Sequence, residues 1–426
     1  MTGDQPGREQ VGATQPSALW ATELSTPPGL ASDVAQLNEV ALRFFRSRLA
    51  NSWVPRHLER RGFGSAIQQR WQAGYAPAEW DALTSYLRAL RFPDPLIEAA
   101  GLARRSQRGT LIDTFRDRVM FPIRSIDGTV AAFIGRAPEE ARPQVPKYVN
   151  SPRTCLYRKG DMLFGLWEAR QAIAAGARPV IVEGPFDAIA MTTACSGRHA
   201  GIAPCGTALT AEQVRTLSQA ADLGRTGVLV AFDSDTAGRR AAIRAYHLLI
   251  PYTHEVSTMV LPAGQDPAQV FTERGPGALA GIAADIHPLA DLVTDAVVDR
   301  WSRWLEYPEG QINALRATAP VIAAMPVSHV AGQVARLAHR LGLDYATVTE
   351  AITDALPQVI ARTATSSPGV RSVASPCRAA AVAECDVPGG PAQALSQALT
   401  AAQGRAPPRP ARDDRTPLPA GRVHGH

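Results

Sequence analysis

The chain has 426 residues, is 45% hydrophobic and 19% charged, and carries a formal net charge of +5. This length allows two or three domains, each with its own core. The five cysteines include no Cys-x-x-Cys pair and no Cys/His cluster, which argues against a structural zinc site and against a disulfide framework. No apolar run reaches the roughly 20 residues of a membrane span, and the N-terminus lacks the layout of a signal peptide, so we expect a cytoplasmic protein without membrane contact.

The two ends of the chain differ in composition from its middle. Residues 1–37 are rich in Gly, Pro, Ser and Thr, and residues 358–426 are rich in Pro, Ala and Arg. Such segments cannot bury enough apolar surface to offset the entropy lost on ordering. We predict that both segments are disordered.

Residues 38–177 mix helical and strand patterns and form the first predicted subdomain. Within it, residues 118–136 predict a β-hairpin whose turn lies at Asp127-Gly128. Between residues 40 and 160 there are 21 Arg and Lys against 10 Asp and Glu. This excess of positive charge favours a polyanionic partner such as nucleic acid. The alternative explanation is an ordinary Arg-rich solvated surface, which would give the same count.

Residues 178–284 alternate short apolar strands with helices, which predicts a parallel sheet. Residues 285–357 show only helical patterns and predict a small helical bundle. The expected fold class is therefore α/β, with a parallel sheet flanked by helices, an N-terminal basic α+β subdomain and a C-terminal helical bundle.

Three carboxylates come at the ends of two predicted strands. Glu183 follows PVIV, and Asp233 and Asp235 end GVLVAFDSD. Ligands of open parallel sheets bind beyond the carboxyl ends of the strands, and residues two apart in an extended chain point the same way. The carboxylates would repel each other without a cation, and their oxygens suit Mg²⁺ or Mn²⁺, which organise phosphoryl transfer.

Two nearby patterns leave alternatives open. Asp187 lies in the first turn of the next predicted helix, where it could hydrogen-bond metal-bound water or complement the helix N-terminus. An apolar strand ending in DxDxT is also typical of haloacid-dehalogenase-type phosphatases. That interpretation is disfavoured because a strand with Glu183 precedes the motif and no lysine follows Lys159.

Glu183 and the Asp233-x-Asp235 pair fifty residues later resemble the Toprim domain, which bacterial primases, topoisomerases and some nucleases share. Over about residues 38–350, an ordered series of motifs is similar to the bacterial DnaG-type primase core. The series comprises DTFRDRVMFPI (113–123), IGR (134–136), PKYVNSP (146–152), YRKGDMLFGLWEA (157–169), VEGPFDAIA (182–190), GTALT (206–210), FDSDTAGRRAA (232–242) and LPAGQDP (261–267). The order and spacing carry the resemblance, since single motifs are weak.

The resemblance implies a role for each of several residues. Glu183, Asp233 and Asp235 would be catalytic and would hold Mg²⁺ or Mn²⁺, with Asp266 as a further metal carboxylate; no zinc is expected. Nucleotide or DNA contacts are implied for Arg116, Arg118, Arg136, Lys147, Tyr148, Asn150, Lys159, Asp187, Gly206 and Thr207. For the last two, a plain strand-to-helix turn with Thr210 as the N-cap is an alternative that is compatible with such a role.

Lys147 and Lys159 are the only lysines among 44 basic residues. The resemblance places both in the metal crevice as catalytic residues. A compact ammonium on a flexible stem can follow a moving phosphate, whereas arginine would impose a planar fork. Chance placement of the two lysines is the alternative explanation.

The chain departs from the family pattern in three ways. No cysteine precedes Cys155, so the N-terminal zinc-binding domain of the family is expected to be absent. Ala263, Gln265 and Ala268 are neutral where relatives often carry acids, and the helicase-binding domain is expected to be absent or reduced. A separate zinc-domain protein is therefore an expected partner. The resemblance also implies a replicative helicase, single-stranded DNA and ribonucleoside triphosphates as partners.

The first hypothesis for function is a nucleoid-associated DNA primase, a DNA-directed RNA polymerase that makes short primers in replication by two-metal phosphoryl transfer. The second is a Toprim-type metal-dependent nuclease, and the third is a non-catalytic DNA-binding accessory protein. The lysine pair and the basic subdomain favour polymerisation over cleavage. Three intact carboxylates favour an enzyme over a binding protein.

Overall fold

The computed structural model of the protein describes residues 29–206, 208–233 and 235–365. The strands are β1 (Gly74–Ala76), β2 (Ala103–Arg105), β3 (Leu111–Asp113), β4 (Arg118–Arg124), β5 (Val130–Arg136), β6 (Tyr148–Asn150), β7 (Leu163–Phe164), β8 (Arg178–Val182), β9 (His199–Pro204), β10 (Val228–Ala231), β11 (Val256–Met259) and β12 (Ile286–Pro288).

The helices are α1 (Leu30–Arg48), α2 (Val54–Arg60), α3 (Ser65–Arg70), α4 (Ala82–Ala89), α5 (Asp94–Ala99), α6 (Leu166–Ala174), α7 (Pro185–Ala194), α8 (Ala211–Ala220), α9 (Leu223–Thr226), α10 (Thr236–Leu249), α11 (Pro267–Ile282), α12 (Leu289–Val298), α13 (Pro308–Ala323), α14 (Val327–Leu341) and α15 (Tyr345–Thr365), with a 3₁₀ helix at Asp299–Trp304. None of the helices in the described part of the chain combines the length and the apolar character needed to cross a bilayer.

The chain divides into two compact units. The described residues of the first unit are 29–49, 74–122 and 130–158, and those of the second are 50–73, 123–129 and 159–365. This division is interleaved, so it differs in form from the predicted consecutive domains. The predicted boundaries between the internal domains remain predictions.

The first unit is a four-stranded sheet, ordered β1-β4-β5-β6, with α1 over its core. The predicted hairpin of β4 and β5 is confirmed. Its turn is closed by the Ser125 N–H, which donates to the Thr129 carbonyl at 3.0 Å.

Both segments that were predicted to be disordered contain helical residues at their inner ends. Helix α1 begins at Leu30 because Val34 and Leu37 are fully buried in the first core. Helix α15 continues to Thr365. The predicted boundaries at 37 and 358 are therefore wrong by about two helical turns, since composition averages over the few apolar residues that anchor each helix. The remainder, 1–28 and 366–426, lies outside the described residues.

The second unit contains a six-stranded sheet in the order β12-β11-β10-β8-β9-β7. The four central strands are parallel, which confirms the predicted sheet, and the two edge strands are antiparallel. Strand β12 lies in the range for which only helices were predicted. It has three residues, too few for an alternating pattern to be recognised.

Helix α7 packs unusually closely on β9, and a glycine makes this possible. A Cβ added to Gly201 would lie 2.4 Å from the Ala188 carbonyl oxygen. The Gly201 N–H donates to Thr192 Oγ1 at 2.9 Å, so strand and helix are also joined by a hydrogen bond. This contact fixes the height of α7 above the sheet.

The helical bundle has a core of its own. Helices α12, α13, α14 and α15 bury apolar residues such as Val298, Leu315, Val334 and Ile352. The bundle predicted for this part of the chain is thus observed, apart from β12 at its beginning.

We predict that Gly201→Ala lowers the free energy of unfolding by about 1–3 kcal/mol, because the added methyl group overpacks a backbone contact. The matched control is Gly281→Ala in α11, where nothing lies within 4 Å of an added Cβ and alanine favours the helix by up to about 1 kcal/mol. Urea denaturation followed by circular dichroism measures both variants. Equal stability of the two would contradict the close packing of α7 on β9.

Candidate active site

The carboxylates of the second unit lie at one edge of its sheet. Strands β8 and β10 are parallel neighbours, with Val182 paired to Ala231, so both end at the same edge. Glu183 follows β8 at once, and the Asp233 N–H donates to Glu183 Oε1 at 3.3 Å. The two predicted strand-end acids are therefore in direct contact.

Asp235 is placed by a helix cap and not by strand alternation. Strand β10 ends at Ala231, before the acidic pair begins. Asp235 is the N-cap of α10, and its Oδ1 accepts the Gly238 N–H at 2.7 Å. A Cβ on Gly238 would lie 2.1 Å from the Asp233 carbonyl oxygen, so only glycine allows this loop to fold onto the helix. Gly238 is not among the residues predicted from the sequence, although its position just after DSDTA is a signal for such a turn.

Asp187 is buried and joins two helix N-termini. Its Oδ2 accepts the Gly184 N–H and its Oδ1 accepts the Ala268 N–H, each at 3.1 Å. The first bond caps α7, and the second reaches the start of α11. Of the two roles considered for Asp187, the complement to a helix N-terminus is therefore observed.

Burial, together with the neighbouring charges of Asp266 and Asp233, raises the pKa of Asp187 to about 8. Asp266 is the N-cap of α11, where it accepts the Gln269 N–H at 2.6 Å. The Gln269 side chain accepts the Asp266 N–H in return, at 2.8 Å. The acidic residues thus crowd one another, and the protein holds Asp187 protonated near neutral pH.

The donor chemistry of this edge fits a hard divalent cation. Glu183, Asp235 and Asp266 each accept a backbone N–H through one oxygen. Their second oxygens make no hydrogen bond to any residue in the described ranges. Within those ranges, no group of three or more His, Cys, Asp or Glu side chains is gathered as a metal cage. The site therefore offers carboxylate oxygens of the right kind without a closed cage.

In the first unit, Arg118 at the beginning of β4 and Arg136 at the end of β5 are buried. The Arg118 guanidinium donates to the Pro146 carbonyl at 2.9 Å. The guanidinium of Arg136 lies 5.8 Å from the centroid of the Tyr148 ring and 3.4 Å from Glu139. Arg118 therefore stabilises the segment that carries Lys147 by hydrogen bonding to its backbone.

The other predicted contacts of this unit are more accessible. The Lys147 side chain is exposed, with Nζ 5.9 Å from the Tyr148 ring centroid. Arg116 lies over the Trp80 ring, 4.3 Å from its centroid. Asn150 ends β6, where it pairs with Ile134.

The remaining predicted residues belong to the second unit. Lys159 is exposed, and its carbonyl accepts the Gln213 side-chain amide at 2.9 Å. Gly206 has a φ of 138°, and Thr207 lies outside the described residues. Thr210 caps α8 by accepting the Gln213 N–H at 3.1 Å, so the cap considered as an alternative is present.

The raised pKa of Asp187 predicts a pH dependence of stability. Its pKa rises from 3.8 to about 8 on folding, so its contribution to stability is complete below about pH 4 and is lost as the pH rises through 8. In EDTA, we expect the wild type to lose stability progressively between about pH 4 and about pH 8 relative to Asp187→Asn, with no further relative loss above that range. Urea midpoints at several pH values measure this difference.

The matched control is Asp222→Asn, which makes the same substitution at the exposed cap of α9. The account of Asp187 is contradicted if wild type and Asp187→Asn change in parallel with pH.

Two family models match the chain in succession. One, described as the N-terminal domain of the DNA primase catalytic core, covers residues 44–170, and one described as Toprim-like covers residues 180–271. The DNA primase of Streptomyces coelicolor is 36% identical over 285 residues, which are 66% of this chain and 44% of that protein. The chain spans about half the length of the curated relatives it matches.

Solved structures match over almost their whole length. The RNA polymerase domain of Mycobacterium tuberculosis primase DnaG, solved with double-stranded DNA, is 31% identical with a TM-score of 0.63, and the match covers 74% of this chain and 99% of that one. A DnaG primase catalytic domain bound to single-stranded DNA is 29% identical with a TM-score of 0.62, covering 75% and 99%. Since nearly all of a solved catalytic core is matched at this identity, the chain belongs to the DnaG-type family of bacterial DNA primases.

Proposed function

We propose that this chain is the catalytic core of a DNA primase that joins ribonucleotides on single-stranded DNA during replication. The observation that carries the proposal is the contact between Glu183 and the Asp233 loop at the ends of two adjacent parallel strands. Family membership supports the same chemistry. The relatives solved with DNA support a nucleic-acid substrate.

Glu183, Asp233 and Asp235 would hold the divalent metal, Mg²⁺ or Mn²⁺, and Asp266 would lie close by. When bound, such metals neutralise phosphate charge, activate a hydroxyl nucleophile and stabilise the leaving oxygen. The carboxylates of Glu183, Asp235 and Asp266 are oriented before any ligand arrives, because each of these three accepts a backbone N–H through one oxygen. Before a metal binds, protonation of Asp187 lowers the electrostatic repulsion among the carboxyl groups of this site.

In the proposed reaction, the 3′ oxygen of the growing primer bonds to the α-phosphorus of a ribonucleoside triphosphate. The bond from that phosphorus to the bridging oxygen breaks, and pyrophosphate leaves. Lys147 and Lys159 bind the phosphates, because both are exposed and carry compact charges on flexible stems. The Tyr148 ring lies between the guanidinium of Arg136 and the ammonium of Lys147 in the chain of contacts, so Arg136 and Tyr148 together orient Lys147.

The partners follow from this reaction and remain part of the proposal. They are single-stranded DNA, ribonucleoside triphosphates and, at the replication fork, a helicase or a separate zinc-domain protein. Such a role places the protein in the cytoplasm, at the nucleoid. Binding of the strand would be salt-sensitive, as phosphate contacts are.

The first test is primer synthesis on mixed-sequence single-stranded DNA with labelled ATP, the other ribonucleotides, and Mg²⁺ or Mn²⁺. We expect short labelled products that disappear when EDTA is added. Asp233→Asn should reduce the rate about 100-fold or more, because several kcal/mol of metal-derived stabilisation are lost. Asp222→Asn, the matched control on the exposed cap of α9, should stay near the wild-type rate.

Two outcomes would overturn the proposal. If no primer forms but the template is shortened in a manner that depends on Asp233, the site belongs to a Toprim nuclease. If neither synthesis nor cleavage occurs in any metal, and the strand still binds, the chain is a DNA-binding accessory protein.

A second test concerns the choice of lysine. Lys147→Arg keeps the charge but replaces a point charge with a fork, so we expect strand affinity near the wild type and primer synthesis reduced about tenfold. Lys147→Ala should also reduce the salt dependence of binding by about one ion. The control is the converse exchange, Arg142→Lys, at an exposed position of the same loop. Full activity of Lys147→Arg would show that only charge matters here.

A further inference from the structure

An exposed aromatic surface lies on the helical bundle of the second unit. Trp304 and Tyr307 are 59% and 56% exposed, and among the Trp, Tyr and Phe side chains of the described residues only Trp80, at 62%, is more exposed. Trp301 and Trp304 border two neighbouring cavities of about 510 and 420 Å³. We call Trp301, Trp304 and Tyr307 the aromatic face.

Helix α10 runs from the acidic site to this aromatic face. Its N-cap is Asp235, and Ile243 and His247 near its other end line the larger cavity together with Trp301 and Trp304. The helix has 14 residues and is about 21 Å long. A stacked single strand of that length contains about six nucleotides.

Two of the arginines of α10 lie between the acidic site and the aromatic face. Arg240 and Arg244 share a face of α10 with Ile243 and His247, by the i, i+3, i+4 and i+7 spacing. Both are exposed and have no acidic partner among residues 29–206, 208–233 and 235–365.

The charge around the aromatic face is also positive. Arg300 and Arg303 are exposed and likewise without an acidic partner in the described ranges. The nearby acids are Glu306 and Glu309, which are exposed, and Asp299, which is ion-paired to Arg340. Together with these two arginines of α10, this surface carries four arginines without an acidic partner in the described ranges, and only two glutamates without a basic partner there.

We infer that the aromatic face and the exposed side of α10 form a second contact site for single-stranded nucleic acid, in which bases stack on Trp304 and Tyr307 and phosphates follow Arg240 and Arg244. Aromatic platforms flanked by basic side chains are how proteins bind single strands without sequence preference. A protein partner is disfavoured, since the larger cavity is bordered by Arg300, which has no acidic partner in the described ranges and which an apolar interface would desolvate. The inference rests on the proposed function only in its choice of ligand.

The test is strand binding without catalysis. A fluorescein-labelled oligothymidylate of about 16 nucleotides is titrated with the full chain in EDTA and without nucleotides, and anisotropy is recorded. We expect Trp304→Ala to weaken binding about tenfold and Trp304→Phe to restore most of the affinity, because stacking needs only a ring. The control, Tyr345→Ala, removes another exposed aromatic of the same bundle and should have no effect.

The arginines give an independent readout. Arg240→Gln combined with Arg244→Gln should reduce the salt slope of binding by about two ions. The control pair, Arg225→Gln with Arg274→Gln, removes the same charge elsewhere on the unit and should leave the slope unchanged.

The inference is overturned if Trp304→Ala binds like the wild type, or if Tyr345→Ala weakens binding equally. Self-association that Trp304→Ala abolishes, with strand binding intact, would assign the face to a second copy of the chain. Because the assay needs no turnover, it can fail while primer synthesis succeeds, and it can succeed while primer synthesis fails.

Discussion

The buried carboxyl group of Asp187 holds the second unit together at the edge where its chemistry lies. One of its oxygens accepts the N–H that begins α7, and the other accepts the N–H of Ala268 at the start of α11. Near this contact, the Phe63 ring packs against the rings of Phe186 and Phe271, at centroid distances of 5.5 and 5.3 Å. The loops that carry Glu183 and Asp266 are therefore fixed by one polar group inside an apolar cluster.

This arrangement has an electrostatic cost that fits its proposed use. A carboxylate in that position is poorly solvated and faces the charges of Asp233 and Asp266, so its pKa rises to about 8. Backbone N–H donors at helix N-termini hold the neighbouring carboxyl groups of Asp235 and Asp266 through one oxygen each. A cation arriving at this edge would relieve the remaining repulsion, which links folding, metal binding and the orientation of the carboxylates.

The sequence predicts the parts of the fold that depend on periodicity. The order of strands and helices from β8 to β11 and the hairpin of β4 and β5 follow from apolar spacing and turn residues, and both are confirmed. The antiparallel edge strands β7 and β12 could not be predicted, because two or three residues carry no period. The ends of α1 and α15 were missed because a few buried residues, such as Val34 and Leu37, outweigh the composition around them.

For the candidate site, the sequence identified the residue types and their neighbourhood but not how each side chain is held. Strand alternation was the wrong reason to place Asp233 and Asp235 together, since β10 ends before them and a helix cap positions Asp235. The burial of Arg118 and the contact between Asp187 and Ala268 depend on residues distant in sequence. From the sequence, Gly238 could be recognised only as a turn residue. Glycine is required there because a Cβ would clash with the Asp233 carbonyl oxygen, a backbone contact that the sequence does not show.

The most direct measurement of the central claim is Mn²⁺ binding to the full chain, followed by the loss of the free Mn²⁺ signal in electron paramagnetic resonance. The account predicts saturable binding that is strongly weakened in Glu183→Gln and Asp233→Asn, unchanged in Asp222→Asn, and displaced by excess Mg²⁺. Equal Mn²⁺ binding by all four proteins would contradict the assignment of this sheet edge as the metal site.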